Sequence, residues 1–410
     1  MKKYIYILLA FCLVCASCSK DDTTPTVTTS VAKAYVSLDT LSATNLPSAE
    51  DYWVIEDEDS LAKENFEGLF AALTSLETSS REITIEFANL TYLPEYCFSD
   101  APISLVSVVA PEVIELGEGI FAGSKGLKEL YLDKALVVGE VAIYCCPVLE
   151  YVYLPKATEM KEYGMCWNVK LNQLYIPKLE TIEDYGLSYN YALETISAPE
   201  LLEAHAGAFY ENNLLKSVNM PKLDSLGCRA FANCYSLEDI TLKSLTKIDD
   251  EVFYFCTSLE YVSMPLIKEF NGWTFSWCYN LKTVNLPVLE TIGDGDFCSC
   301  VSLESVNYPN VTSAGGSAFE YCYSLVSISM PKLTELNDYV FSDCTALREL
   351  EVATSGSPLT YVNKYALSGT PSQWVTLTVG SVEAPVSILE NTLSDSDTGY
   401  SQTFAQIITQ

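Results

Sequence analysis

Leu281 to Ser302 reads LKTVNLPVLETIGDGDFCSCVS, and the next residue, Leu303, opens the same pattern again. Counted outward in both directions, leucine stands at 105, 127, 149, 171, 193, 215, 237, 259, 281, 303, 325 and 347, always 22 residues apart. With that leucine as position zero, position three is Val, Leu or Ile in every unit, from Val108 to Leu350. Position six is proline at Pro111, Pro155, Pro177, Pro199, Pro221, Pro265, Pro287, Pro309 and Pro331. Position sixteen is Phe121, Phe209, Phe231, Phe253, Phe275, Phe297, Phe319 or Phe341, and gives way to Ile143, Met165 and Leu187 in the second to fourth units. Position nineteen reads Cys146, Asn168, Asn190, Asn212, Cys234, Cys256, Cys278, Cys300, Cys322 and Cys344. A fixed period of this kind decides the architecture before any secondary structure is assigned.

The period has a physical consequence. On a short strand, positions three and five point to one side and positions two and four to the other. Each unit therefore carries one apolar face that it cannot bury alone, so the units stack in parallel around a continuous core. The proline ends the strand because it has no N–H to donate. The chain turns, returns with apolar positions eight and eleven, and fills the core with the phenylalanine. In round form the pattern, LxxVxLPxLxxIxxxxFxxCxx, resembles the BspA-like leucine-rich-repeat family of bacterial surface proteins. The resemblance covers about residues 82–370. It weakens in units two to four, where the Phe is lost, and in the last unit, where Tyr365 to Ser368 arrive four residues late after an insert around Gly356. It implies a leucine-rich-repeat solenoid of α/β or mainly β units, twelve of them stacked in parallel, behind a small α/β N-terminal cap. It also implies an adhesin-like, partner-binding role without naming the ligand.

The start of the chain reads as an address. Lys2 and Lys3 precede an apolar stretch, Tyr4 to Val14, too short to span a bilayer comfortably. Cys15-Ala16-Ser17-Cys18 resembles a bacterial lipobox with Cys18 as the lipidated residue, although Cys15 stands where leucine is usual. Ser19-Lys20-Asp21-Asp22 is similar to the acidic lipoprotein export signal of Bacteroidota, which implies lipid anchoring at the outer membrane, on the cell surface. An ordinary secretory signal cut nearby is the competing reading. The expected divisions are a signal peptide at 1–17, a lipid-anchored tether at 18–45 whose Thr-rich part runs from 19 to about 33, a cap with a helix at 46–81, the solenoid at 82–370, and a C-terminal cap and tail at 371–410. Within the cap, Asp51 to Asp57 reads as a strand, and Asp59 or Ser60 caps a helix carrying Leu61, Phe66, Leu69, Phe70, Leu73 and Leu76. Ile83, Ile85 and Phe87 then alternate like a first array strand. At the other end Trp374 to Val379 reads as a closing strand, and 390–410 as a polar tail with a short apolar end.

Charge narrows the function. The formal net charge is -31, and removal of Lys2 and Lys3 with the signal makes it -31 - 2 = -33. Such a chain repels nucleic acid and cannot make a polybasic membrane contact; the lipid anchor is the only membrane contact expected. No cofactor and no metal site are expected. His205 is the one histidine, there is no CxxC pair, and no run matches a calcium loop, although Asp249, Asp250 and Glu251 cluster. His205 falls on the return side of its unit and reads as a turn histidine, so no nucleophilic triad can be assembled and the chain is read as non-enzymatic. Beyond Cys12, Cys15 and Cys18, twelve cysteines remain, seven of them in the position-nineteen column. Asparagine replaces cysteine there, which suits a buried ladder of groups bonded to turn backbone and does not suit half of a disulfide. A bridge within the column remains an alternative on distance alone, and Cys145, Cys146, Cys166, Cys228 and Cys298 are the least explained.

Binding residues are sought on the outward strand face. Position four includes Tyr131, Tyr153 and Tyr175 in three successive units, and position two adds Tyr151 and, farther along, Tyr261. Tyr131, Tyr151, Tyr153 and Tyr175 are the expected ligand-binding strip, since tyrosine offers area and a hydroxyl at low entropy cost. The plainer reading is that tyrosine suits an exposed strand. Position eighteen adds a secondary rim, Trp167, Tyr189, Phe255, Trp277 and Tyr321. The expected function is a monomeric, non-enzymatic surface protein that recognises an extracellular protein of a host or neighbouring cell. The alternatives are glycan capture, since stacked aromatics also grip sugar rings, and a structural surface spacer.

Overall fold

The computed structural model describes residues 32–39, 41–47, 50–56 and 66–410. The expected signal peptide, Cys18, most of the tether and the helix start at Asp59, Ser60 and Leu61 lie outside the described residues. The chain divides into the segment Met1–Ala32 and one compact unit, Lys33–Gln410, which is a parallel-strand solenoid of about 14 turns with little helix.

Each regular coil has three sides. Positions two to four form a short front strand, as in Glu129–Tyr131, Tyr151–Tyr153 and Gln173–Tyr175. Positions ten and eleven form a shorter rear strand, as in Val137–Val138 and Glu159–Met160. Both rows pair in parallel with the register fixed at one repeat, so Leu130 lies against Val152 in front and Val138 against Met160 behind. Inward residues fill the core: Leu130, Val152, Val138 and Met160 are all fully buried. Phe209, Phe231, Phe253, Phe275, Phe297, Phe319 and Phe341 form an unbroken column with ring centroids 4.6–5.8 Å apart. Offset stacking at this spacing adds about 0.5–1.5 kcal/mol per pair to the burial itself.

The third side was not legible in the sequence. Here the N–H groups of positions fourteen, sixteen and eighteen donate to the carbonyls of positions thirteen, fifteen and seventeen in the next coil. Val141, Ile143 and Cys145 bond in this way to Glu162, Gly164 and Cys166, and Arg229, Phe231 and Asn233 to Asp250, Val252 and Tyr254. Positions fourteen and eighteen achieve this in the left-handed conformation, with φ of 45° at Val141 and 58° at Arg229. The conformation costs roughly 1–2 kcal/mol per non-glycine residue, and the inter-coil bonds it permits offset that cost. Residues as different as Val141, Tyr163, Gly207, Arg229 and Glu251 occupy position fourteen, so no residue type announces the turn.

Both caps correct the sequence expectation. The segment expected to be tether as far as 45 contains a strand, Lys33–Val36, paired in parallel with Tyr52–Ile55. Leu38 and Leu41 after it are buried, so the described residues from 33 onward belong to the cap. The described part of the helix, Phe66–Leu76, buries Phe66, Leu69, Leu73 and Leu76 over the first coils. Its Gly68 is required by close approach, because a Cβ there would stand 2.4 Å from the carbonyl oxygen of Leu41. At the far end the expected tail is structured. Val386–Leu389, Thr392–Asp395 and Tyr400–Thr403 form an antiparallel sheet, and Gln406–Thr409 closes the front row against Thr376–Val379. Asp395, which looked like a tail residue, is buried and accepts the N–H groups of Val362, Asp397 and Thr398. Among the described residues, no helix is long and apolar enough to cross a membrane.

Candidate binding surface

Because the register is one repeat, the outward side chains of the front row line up across coils. Tyr131, Tyr153 and Tyr175 are direct strand neighbours, as are Glu129, Tyr151 and Gln173. The rings of Tyr153 and Tyr175 stack at 5.1 Å and 8°, and Tyr131 lies 5.2 Å from Tyr151 and 6.5 Å from Tyr153. All four expected tyrosines thus form one contiguous cluster. Tyr175, 46% exposed, forms its open end. Tyr261 stands between Asp239 and Thr283, away from this cluster.

The cluster is polar at its cap end. Tyr131 donates to Glu129 Oε2 at 3.1 Å. Burial, then the Glu129 charge and hydrogen bond, push the Tyr131 hydroxyl well above its ordinary value; burial first and then Tyr153 and Glu129 do the same to Tyr151. Both hydroxyls therefore stay protonated at neutral pH and remain hydrogen-bond donors. The same surface continues into residues that sequence reasoning missed. Tyr52 donates to Glu86 Oε2 at 2.8 Å, and Lys33 Nζ reaches the same oxygen at 2.6 Å while lying 4.6 Å from the Tyr52 ring centroid. Glu86 shares an outward row with Val109 and Tyr131. No period links residues 33 and 52 to the array, so their register had no sequence signal.

The position-eighteen residues do not form one rim. Trp167 and Tyr189 pair at 4.8 Å, and Phe255 and Trp277 stack at 5.2 Å and 10°. Glu211 and Asn233 occupy the same position between the two pairs, and Ser299 separates Trp277 from Tyr321. Tyr191 and Tyr210, which sequence reasoning did not single out, join the first pair, and Tyr279 joins the second. All five rim residues have left-handed backbone, with φ from 57° to 66°.

The position-nineteen column is a buried hydrogen-bond ladder. The thiols of Cys146, Cys234, Cys256, Cys278, Cys300, Cys322 and Cys344 each donate to the position-sixteen carbonyl of the preceding coil at 3.0–3.3 Å. The side-chain amides of Asn168, Asn190 and Asn212 donate to the same carbonyls, those of Ile143, Met165 and Leu187. Each Asn Oδ1 also accepts the backbone N–H of the position-nineteen residue before it. Ser124 and Thr370 continue the ladder at its two ends, bonding to Phe98 and Phe341. Sequence reasoning missed both, because Thr370 is displaced by the four-residue insert and Ser124 matches neither column type. All twelve described cysteines are free thiols. Burial raises the column thiols, to about 12 at Cys146 and Cys234, which makes them poor nucleophiles.

His205 is exposed and lies 3.8 Å from Glu203. Glu251 of the acidic cluster pairs with Arg229 at 2.8 Å. Among the described residues, no group of three or more His, Cys, Asp or Glu side chains could hold a metal ion.

Three overlapping stretches, residues 75–194, 180–288 and 268–384, match the BspA-type leucine-rich-repeat region. The chain belongs to this family. Its repeat is typically a non-enzymatic binding scaffold. Among solved structures, a leucine-rich-repeat protein from Bacteroides ovatus is 24% identical, with a TM-score of 0.53 over 65% of this chain and 78% of that one. A leucine-rich cell-surface protein from Faecalibacterium prausnitzii is 18% identical, with a TM-score of 0.36 over 68% of this chain and 89% of that one. These likenesses concern the fold alone. No curated protein matches the chain by sequence.

Proposed function

We propose that this member of the BspA-type family is a lipid-anchored surface protein, tethered at Cys18 on the outer membrane, that binds an extracellular protein through its front strand face. The observation that carries this reading is the contiguous cluster of Tyr131, Tyr151, Tyr153 and Tyr175. It presents aromatic area and hydroxyl groups on a sheet, the arrangement from which interface hot spots are built. Lys33, Tyr52 and Glu86 extend it toward the cap, and the Trp167 and Phe255 groups offer secondary contacts. The ligand is bound by a monomer, without cofactor or catalysis.

The test is an array of extracellular-matrix proteins and glycans probed with the purified protein and with the Tyr131→Ala/Tyr153→Ala/Tyr175→Ala variant. A protein ligand whose binding drops at least about tenfold in the variant, a loss of about 1.4 kcal/mol, supports the reading. Undiminished binding of every protein ligand by a folded variant refutes the assignment of the face.

A further inference from the structure

The position-fourteen column is bulky at Trp273 and again at Tyr339, and between them it holds only Gly295 and Ser317. The turn beside it is Gly315-Gly316. Where these side chains are missing, the molecule has a cleft of about 590 Å³. Its walls are Trp273, Tyr339 and Tyr361, with Asp294, Asp338 and Asn363 at its polar edges.

Gly315 and Gly295 are required by close approach in their own turns. A Cβ on Gly315 would stand 2.3 Å from Oδ1 of Asp294, and that oxygen accepts the Gly316 N–H at 2.7 Å. The Trp273 ring lies over Gly295, whose φ is 62° and whose Cβ, if present, would meet the ring at 2.6 Å. Trp273 is thus held flat on backbone with its outer side in solvent. Tyr339 stacks on Tyr365 of the next coil at 5.1 Å and 1°, which turns its other face toward Ser317 and the cleft. Two coil steps of about 4.8 Å separate Gly295 from Tyr339.

The polar groups restrict the chemistry further. Asn363 is fixed, donating to Tyr361 Oη at 3.2 Å and accepting the Tyr365 N–H at 2.9 Å. Among the described residues no protein group donates to the Asp338 carboxylate, which is exposed at the cleft edge. No Lys, Arg or His lines the cleft, so an anionic ligand has no counter-charge. Flat apolar faces beside carboxylate acceptors match a ligand with C–H faces and adjacent hydroxyl donors.

We propose that this cleft binds a neutral saccharide, separately from the tyrosine face. The proposal goes beyond the protein-binding reading and does not depend on it. The purified protein is titrated with cellohexaose, maltohexaose, xylohexaose and mannohexaose, followed by tryptophan fluorescence and calorimetry, at about 0.05 and 0.5 M NaCl. The expected result is saturable binding of at least one of them with little salt dependence. Trp273→Ala and Asp338→Ala each weaken it at least about tenfold, and the triple tyrosine variant leaves it unchanged. Asp338→Ala, at an exposed position, decides the matter if Trp273→Ala perturbs folding. Absence of binding to all four sugars overturns the proposal. So does binding that survives Asp338→Ala, or salt-sensitive binding of calcium or tetralysine in place of sugar.

Discussion

Cys234 stands at the border where the buried ladder changes from asparagine to cysteine, and two substitutions there separate its physics from simple packing. In the wild type, Cys234 Sγ donates to the Phe209 carbonyl at 3.3 Å, and the Asn212 N–H is directed at the sulfur. Cys234→Ala removes the donor and leaves the Asn212 N–H without a partner in a fully buried site. A buried unsatisfied donor costs about 1–3 kcal/mol, before the small cavity is counted. Cys234→Asn extends the existing run, in which Oδ1 of Asn190 and Asn212 accepts a backbone N–H at 3.0 Å. It exchanges a weak N–H to sulfur contact for a full bond worth about 0.5–1.5 kcal/mol net. The two variants should therefore differ by about 1–4 kcal/mol, with Cys234→Asn equal to or above wild type. Urea unfolding followed by circular dichroism measures this. Both changes sit in one coil, so the comparison holds even where a repeat array unfolds stepwise. If Cys234→Asn is as destabilising as Cys234→Ala, asparagine and cysteine are not interchangeable ladder members and the reasoning fails.

Phe253→Ala, in the middle of the phenylalanine column, should cost about 3–5 kcal/mol in the same assay; a loss below 1 kcal/mol would show that the column is not close-packed. Gly207→Ala should destabilise by about 1–3 kcal/mol, since φ is 59° and the new Cβ would meet the Tyr185 ring at 2.4 Å; an unchanged urea midpoint would contradict that contact. A thiol reagent applied to the folded protein should label Cys145 quickly and the buried ladder thiols only on unfolding, as read by mass spectrometry of the peptides. Asp296, almost wholly buried, has its carboxyl pushed up to about 6 by burial. Its folded value exceeds its unfolded one, so its contribution is fully present below about pH 4 and is lost as pH rises through 6, an effect of up to about 3 kcal/mol. Asp296→Asn should flatten that part of the stability curve between pH 4 and 6, and an unaltered slope would refute the assignment.

The repeat was legible because a solenoid writes each structural role 22 residues apart. The leucine and the position-three aliphatic residue recur twelve times and the phenylalanine eight times, and all of them enter the core. The tyrosine cluster was legible for the same reason, since a one-repeat register places Tyr131, Tyr153 and Tyr175 side by side. What stayed hidden lacked either a period or a residue type. Lys33 and Tyr52 precede the array, and their alignment with Glu86 depends on strand pairings that only the folded cap defines. The left-handed turn positions accept side chains from Gly207 to Trp273, because their role is filled by backbone N–H groups. The C-terminal sheet carries polar outward residues, and without a repeat to compare, Thr392–Thr403 reads as tail.

The column and its interruptions carry different information. A position that repeats, such as Phe253 or Cys278, meets a demand that every coil makes, and substitution there tests the fold. A position that departs from its column meets a demand made in one place. Asp296 replaces small or aliphatic residues such as Ala230, Val252 and Ala318, and it accepts the N–H groups of Thr274 and Gly293 where glycine-rich coils turn. Gly315 and Gly316 line the cleft, while Gly293 and Gly315 stand at position twelve, where Gly117, Gly139 and Gly227 also stand, and so follow their column. A buried carboxyl that accepts two turn N–H groups is a local feature laid over the repeat. The glycines have a steric reason of their own, since a Cβ at Gly293 would stand 2.6 Å from the Asn271 carbonyl carbon and Gly295 has a φ of 62°.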